Sequence, residues 1–486
     1  MNFLRKKNSF RISEISSKDF CKNSLCPKDY RELIQLNSNT TNLSDILDNW
    51  YKGAEIGSDN YMKKSSYRFL KTNNVTSNYY YDQNSIEFCK PFIGNKPQNN
   101  DILIVKDGAG KGLGEVSLYK NESINNDYIS SGLIGIKIKS EKKYYALSLL
   151  KSQHFKDFVN VNTAQGSTIR HSKLIALEYP ISFPTTKNHI KPELIEKYIS
   201  ILTQNVLDKE FQIELKNKQV DNLFKLELKS KTKKKVLYKF PTISKLKSGN
   251  RLDTIIYSER YFEYETLIKS YQNSYYFLNE SEISPGRTPK DYYYSDTKKS
   301  NKFYEWVTPK NVNGRRLDYK TYIHTKSSTK ISKNCIVLNG IRYVGNGIYI
   351  DTVEKIYSNQ NTLIINKFKE KEEQIFLYTF LTSEIGKYMQ MAQRNFGIVP
   401  ILYTDNLCKI PIPKFDKDKK KEIVELYYNQ VKVLEKNTLE NYLENEKKRN
   451  ELLGVHQLND EIFILREKIE NVIDKIIKEE PIYIEL

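Results

Sequence analysis

Apolar positions along the chain follow two rhythms. Short runs rich in β-branched and aromatic residues, bounded by Asn, Asp and Gly, read as strands; SYRFLKTNNV (66–75) and DILIVKDG (101–108) show this best. A helical rhythm begins at Tyr144. In YYALSLLKSQHFKDFVN, Leu147, Leu150, Phe155 and Phe158 share a face, which predicts one amphipathic helix from Tyr144 to Asn160. Pro180, Pro184 and Pro192 punctuate the next stretch of chain. Beyond them Ile195, Tyr198, Leu202 and Val206 recur at three- and four-residue spacing, extended less regularly by Ile213, Val220 and Leu223. That pattern predicts one helix of about 35–40 residues, ~55–60 Å long. From Lys417 to about Leu453 the rhythm returns with Ile423, Tyr427, Val431 and Leu434, and Gly454 interrupts it. Ile462, Leu465, Ile469, Val472 and Ile476 then alternate in three- and four-residue steps, a coiled-coil seam. So short a seam needs a partner. The long helix of the first half, packed antiparallel, is one; another subunit is the alternative.

The same order of elements occurs twice. GSTIRHSKLIALEYPI, from Gly166 to Ile181, aligns with GIVPILYTDNLCKIPI, from Gly397 to Ile412, 231 positions later. The amphipathic stretches before them align at the same offset, and DILIVKDG aligns with NCIVLNG at an offset of 232. This period is too long for a solenoid unit, so it predicts two copies of one globular domain, each followed by a helix. The first globular unit is expected at 43–184 and the second at 238–413. With flanks, the divisions are an N-terminal arm and first domain at 1–190, a spacer helix at 191–232, a second domain at 233–415 and C-terminal helices at 416–486. Residues 1–40 are polar and mixed and predict no element.

At 486 residues there is enough chain for two sizeable cores. Lys and Arg exceed Asp and Glu by 19, which favours an anionic partner such as nucleic acid, although AT-rich coding would also enrich Lys, Asn, Tyr and Ile. The five cysteines (Cys21, Cys26, Cys89, Cys335, Cys408) are scattered, with no CxxC pair, so neither a zinc site nor a disulfide framework is expected. Their use suits a reducing cytoplasm. The first ten residues have no apolar core of a secretory signal, and no apolar run is long enough for a membrane helix, so no membrane partner is expected.

Motifs for chemistry fail on inspection. In KDGAGKGLGEV, Gly110-Lys111 is followed by Gly112, where a phosphate-binding loop needs Ser or Thr. The stretch reads as a strand and tight turn, with Gly340, Gly345 and Gly347 in the equivalent place. The five histidines (His154, His171, His189, His324, His456) show no HExxH spacing, and no GxSxG elbow is present. No Asn- or Asp-Pro-Pro-aromatic tetrapeptide is available to hold an adenine for methylation. Neither metal nor cofactor is expected.

At GSTIRHSKLIALEYPI the chain resembles the target-recognition domains of type I restriction–modification specificity subunits, in which a G-S/T-x-R loop, an apolar strand ending in proline and a long helix follow one another. LSDILDNWYKG resembles the opening of such domains. YRFLKTNNVTSN resembles the segment of their first strand, FYEWVTPKNVNGRRLD repeats it, and NRLDTIIYSERYF looks like the start of a second domain. The resemblance covers nearly all of the chain beyond Leu43. It implies an α+β protein with two similar target-recognition domains, spaced by long helices that form an antiparallel coiled coil. It implies a non-catalytic subunit that reads a bipartite target in double-stranded DNA. Its partners are then DNA adenine methyltransferase subunits and a restriction motor subunit. Related phage-defence and single-chain restriction–methylation enzymes carry the same domain, and LNDEIFILREKIENVIDKI also resembles their ends. The second copy departs from the pattern: it has GIVPI where the first has GSTIR, so Arg170 has no counterpart. Two other classes compete: a nuclease or methyltransferase with an unfamiliar site, and a purely structural coiled-coil adaptor, which does not explain two large domains.

Base edges are read by Arg, Lys, Asn and Gln, and phosphates are held by Lys, Arg, hydroxyls and amides. Such residues lie in or beside loops at Lys71, Asn73, Asn74, Ser167, Thr168, Arg170 and Lys173 in the first domain. In the second they are Thr308, Lys310, Asn311, Arg315, Arg316, Arg342, Arg394 and Asn395. Each also reads as an ordinary surface residue; Arg170, in the most recognisable loop, is the first choice for DNA contact. Trp50 and Trp306 read as core aromatics. The basic run KTKKK (231–235) reads as a solvated linker or a phosphate contact.

Overall fold

Strand-forming runs in the first half pair into two four-stranded sheets. One has the order Val116–Leu118, Ile102–Val105, Leu133–Ile138, Leu47–Lys52, antiparallel throughout. The other has the order Asn126–Ile129, Tyr67–Leu70, Glu87–Cys89, Tyr61–Met62, and its first pair is parallel. The second half builds both again. Gly347–Ile350, Cys335–Asn339, Thr362–Ile365 and Ile283–Pro285 form the antiparallel sheet. Ile356–Ser358, Tyr304–Val307, Tyr322–Thr325 and Tyr292–Ser295 form the mixed one, again with its first pair parallel. Strand for strand the orders match, so the sequence repeat is a repeat of topology. Corresponding positions contribute to the two cores: Leu70, Val75 and Leu103 in one, and Val307, Val312 and Val337 in the other.

The structure, a computed structural model, describes residues 10–12, 31–33, 37–83, 86–108, 112–121, 126–164, 167–231, 238, 240–244, 246, 254–272, 274–296, 298–326, 331–352, 356–395, 399–432 and 437–486. The readings at Cys21, Cys26, Gly110, Lys111, Gly166, Gly397, Leu434 and most of the KTKKK run lie outside them. The chain divides into two compact units. The first comprises Met1–Glu210, Val433–Asn450 and Glu461–Leu486, and the second Phe211–Lys432 and Glu451–Asp460. In each unit a short ladder joins the two ends of the sheet-bearing segment. Thr40–Asn42 pairs with Pro180–Ser182, and Tyr275–Tyr276 with Ile412–Pro413.

The helix expected from Tyr144 to Asn160 is two helices, Lys143–Lys151 and Gln153–Asn162. Ser152 between them is extended (ψ 156°), and its hydroxyl accepts the Phe155 N–H, so a serine cap restarts the helix. The second copy repeats the device in Lys371–Leu381 and Glu384–Gln393, with Ser383 accepting from Gly386 N–H at 3.0 Å. Trp50 also departs from expectation. It lies on the edge strand Leu47–Lys52 and is 39% exposed, because the pleat turns its neighbour Tyr51 inward to donate to Asp101 at 2.6 Å. Trp306 is buried.

The long helix spans Pro192–Lys231. Its buried stripe runs through Ile195, Tyr198, Leu202 and Val206, then continues through Val220, Phe224 and Leu228 rather than Leu223. The segment expected as one helix from Lys417 to Leu453 is interrupted. The first helix, Lys417–Tyr427, ends where Tyr428 turns extended and donates to Asp351. Asn429 then accepts from the Gly454 N–H and donates to the Leu452 carbonyl, taking up the end of the next helix, Tyr442–Leu452. Gly454 starts the last helix, Val455–Ile477. A Cβ there would lie 2.4 Å from the Asn429 nitrogen, so only glycine fits.

Within the first unit the last helix runs antiparallel to the long one. Arg466 meets Glu210, while Lys468 lies over the ring of Tyr198. The seam residues Ile462, Leu465, Ile469, Val472 and Ile476 are all buried. The helix Tyr442–Leu452 instead runs parallel to the long helix, since Asn205 meets Tyr442 and Lys209 meets Asn450. Lys209 is almost fully buried, and its ammonium is satisfied by Glu446, Asn450 and Glu461. A buried polar group of this kind sets helix register, because any slip leaves charges unpaired.

Glu470 on the last helix accepts the Gln153 N–H at the start of a first-unit helix, at 2.9 Å. Burial nonetheless pushes its pKa from 4.5 up to about 7. The folded state therefore keeps a proton that the unfolded state loses above pH 4.5, so stability falls between about 4.5 and 7 and levels off beyond. Glu470→Gln keeps an acceptor without the charge. It is expected to remove this slope and to stabilise the first unit by about 1–3 kcal/mol above pH 7. Urea unfolding at pH 5 and pH 8 checks this; an equal change at both pH values defeats it.

Candidate nucleic-acid interface

In each unit the loops converge on the end of a central strand of the antiparallel sheet. In the first unit that strand ends at Val105 and continues into Lys106, Asp107 and Gly108. Arg170–His171 pairs antiparallel with Asp107–Gly108, and Ser172 donates both its N–H and its hydroxyl to the Lys106 carbonyl. This ties the loop carrying Ser167, Thr168, Arg170 and Lys173 to the strand end. The turn after Tyr67–Leu70 comes to the same rim. A Cβ on Gly132 would lie 2.7 Å from the Thr72 methyl and 3.6 Å from the Asp107 carbonyl, so glycine lets these segments meet. A cleft opens here, lined by Lys52, Lys106, Lys173, Leu174, Ile175 and Glu178. Lys173 holds a left-handed backbone (φ 51°) and an exposed side chain. Lys106 pairs with Asp107 at 2.5 Å.

Not every expected contact residue faces this rim freely. The Asn74 side chain is buried. It accepts the Lys71 N–H at 2.8 Å and donates to the Asp82 carbonyl at 3.1 Å. Asn311 does the same work in the second unit, accepting the Thr308 N–H at 2.8 Å and donating to the Trp306 carbonyl. These asparagines shape the turn and leave its tip, Asn73 and Lys310, exposed. Lys71 pairs with Glu87 at 2.8 Å across the ring of Tyr61. Arg170 sits half-buried at the C-terminus of Gln153–Asn162. Its guanidinium donates to the carbonyls of Asn160, Thr163 and Ala164 and to the Asn160 side chain. These are the carbonyls a helix end leaves unmet, so Arg170 closes the helix and fixes the loop. Ser167 and Thr168, next to it, are exposed.

Arg315 is 4% exposed, and its guanidinium is fully engaged within the second unit. It donates to Asp221 at 2.6 Å, to Asn217 at 3.2 Å and to the Thr382 hydroxyl at 3.0 Å. Beside it, burial pushes Lys387 down to about 8, aided by the Arg315 charge. Arg316 lies near Asp318 at 3.5 Å. In this unit the strand end is Asn339–Gly340, and the Leu402 N–H bonds the Gly340 carbonyl at 2.8 Å. Arg342 (φ 61°) and Tyr343 are exposed just beyond it. Asn395 is exposed and its backbone bridges Ile401, which also bridges Ile341; Arg394 caps the preceding helix. Among the described residues, the second rim therefore displays Lys310, Arg342, Tyr343 and Asn395. Sequence reasoning missed Lys52 and Lys106. Lys106 directly follows the apolar strand Ile102–Val105, whereas Lys52 ends the mixed strand Leu47–Lys52 and carries no such signal.

Among solved structures, the chain is similar to the S subunit of a type I restriction–modification system from M. genitalium. The identity is 16%, the match covers 93% of this chain and 99% of that one, and the TM-score is 0.32. It is also similar to the HsdS subunit from Thermoanaerobacter tengcongensis, at 10% identity over 91% and 94% of the two chains with a TM-score of 0.24. A structure from the type I R-M system matches at 10% identity over 90% and 97%, with a TM-score of 0.28. No protein-family model and no curated protein matches the chain. Among the described residues no group of His, Cys, Asp and Glu is placed to hold a metal ion, and no helix is long and apolar enough to cross a membrane.

Proposed function

We propose that this chain is a specificity subunit for double-stranded DNA. Each unit reads one half of a divided target, and partner adenine methyltransferase subunits, with a restriction motor, act where it binds. One observation carries this reading: the same strand order is built twice, but the two rims display different side chains. Reading two unlike half-sites needs that combination of a common scaffold and unlike surfaces. The excess of 19 basic residues favours the polyanion. The ordered motifs that resemble type I specificity subunits supply the partners. In this reading the chain needs no cofactor of its own.

Selection of duplexes from a random library by the purified chain tests the proposal. The expected result is a motif in two fixed parts separated by unselected bases. Lys52→Ala, Lys106→Ala and Lys173→Ala together should weaken binding, with loss confined to the half-site of the first unit if these groups touch bases. A contiguous motif defeats the bipartite reading. Methyl transfer or cleavage by the chain alone, abolished by a point substitution within it, defeats the non-catalytic one.

A further inference from the structure

Both units carry the tripeptide Lys-Lys-Ser at the same place in the fold. In the first it is Lys63-Lys64-Ser65, on the link from the outer strand Tyr61–Met62 to the inner strand Tyr67–Leu70. In the second it is Lys298-Lys299-Ser300, on the link from the outer strand Tyr292–Ser295 to Tyr304–Val307. Each link passes the strand between, Glu87–Cys89 in one unit and Tyr322–Thr325 in the other. The serine hydroxyl stiffens each link in the same way. Ser65 accepts the Tyr67 N–H at 3.1 Å, and Ser300 accepts the Lys302 N–H at 3.3 Å. All four lysines are exposed, and none forms an ion pair among the described residues. The aromatic cores beneath differ in detail, as do the rims, yet this basic pair recurs.

Building on the DNA-reading function proposed above, we infer that Lys63, Lys64, Lys298 and Lys299 are phosphate contacts that grip the duplex backbone without reading its sequence. The argument is one of shared and unshared features. Two halves of a divided duplex target differ in their bases and share only the sugar-phosphate backbone. A side-chain feature repeated in both units, among loops that otherwise diverge, matches the shared part. Lysine suits it, being a flexible point charge that holds phosphate without fixing a base. The rim side chains, which differ between the units, match the unshared part.

The test uses the full chain and a duplex bearing its selected target. Affinity is measured against salt for the wild type, for Lys63→Gln with Lys64→Gln, and for Lys298→Gln with Lys299→Gln. A control, Lys447→Gln with Lys448→Gln, removes the same charge from the helix Tyr442–Leu452. Each phosphate contact contributes about 0.9 to the slope of log affinity against log salt, so each link variant should lose up to about two units of slope. The control should keep the wild-type slope, and every variant should select the same bases. Unchanged slopes in the link variants overturn the inference, as does an equal loss in the control or an altered base preference. A wild-type chain that binds no duplex instead overturns the underlying reading of function.

Discussion

Arg315→Ala is expected to destabilise the second unit by about 3 kcal/mol, within the range for removing one partner of a buried, hydrogen-bonded ion pair. The guanidinium is enclosed and reaches the long helix at Asn217 and Asp221 as well as Thr382, so alanine strands acceptors on two elements at once. Asp221 also receives the Glu384 N–H at 3.0 Å, so its loss of a cation loosens the start of Glu384–Gln393. Arg315→Lys should recover little, because an ammonium cannot serve all of these positions in the fixed fork of a guanidinium. Denaturant unfolding with hydrogen exchange at residues 384–393 checks this. Wild-type stability accompanied by lost DNA binding would return Arg315 to the role its loop position first gave it.

Glu210→Ala should have a comparable or larger effect on the first unit, about 3–5 kcal/mol. Its carboxylate accepts the consecutive N–H groups of Tyr79 and Tyr80 at 3.0 and 2.9 Å, and the Arg466 guanidinium at 2.6 Å. Removing it leaves one buried donor, the Tyr79 N–H, and two half-buried ones without their acceptor. From the other side Lys151 donates to the carbonyls of Thr76, Asn78 and Val116, and burial has pushed its pKa down to about 7. The segment from Thr76 to Tyr80 is thus held by a carboxylate at its amides and an amine at its carbonyls. Accelerated exchange at the Tyr79 and Tyr80 amides, with the last helix loosened, is the expected signature. Native exchange rates at both amides would show that water replaces the carboxylate at no cost.

The duplication was legible in the sequence because it survives in the spacing of apolar runs, and apolar spacing decides which face of a strand or helix is buried. The seam from Ile462 to Ile476 was legible for the same reason. Interruptions were harder. Ser152 and Ser383 fall where the apolar rhythm continues unbroken, and only a cap hydrogen bond turns the chain there. The candidate site could be read as loops, but not as side-chain directions. Asn74, Asn311, Arg170 and Arg315 have the chemistry to contact DNA, and each is engaged by the fold beneath the loop it sits in. Lys52 and Lys106 look like ordinary strand ends until Ser172 brings the loop from Arg170 to Lys173 against them. Sequence gives the donors, whereas their availability depends on partners far along the chain.

The short ladder in each unit carries a consequence for heredity. Because Thr40–Asn42 lies beside Pro180–Ser182, and Tyr275–Tyr276 beside Ile412–Pro413, the segment between each pair of strands enters and leaves at neighbouring points. A crossover between the two copies in a gene, or between this gene and a relative, can therefore replace everything between the paired ends in one event. The incoming piece must match the short ladder and also the helix contacts described above, Tyr79 and Tyr80 on Glu210 in the first unit and Arg315 on Asp221 in the second. On the function proposed above, such an exchange would change one half of the target and leave the other half as it was.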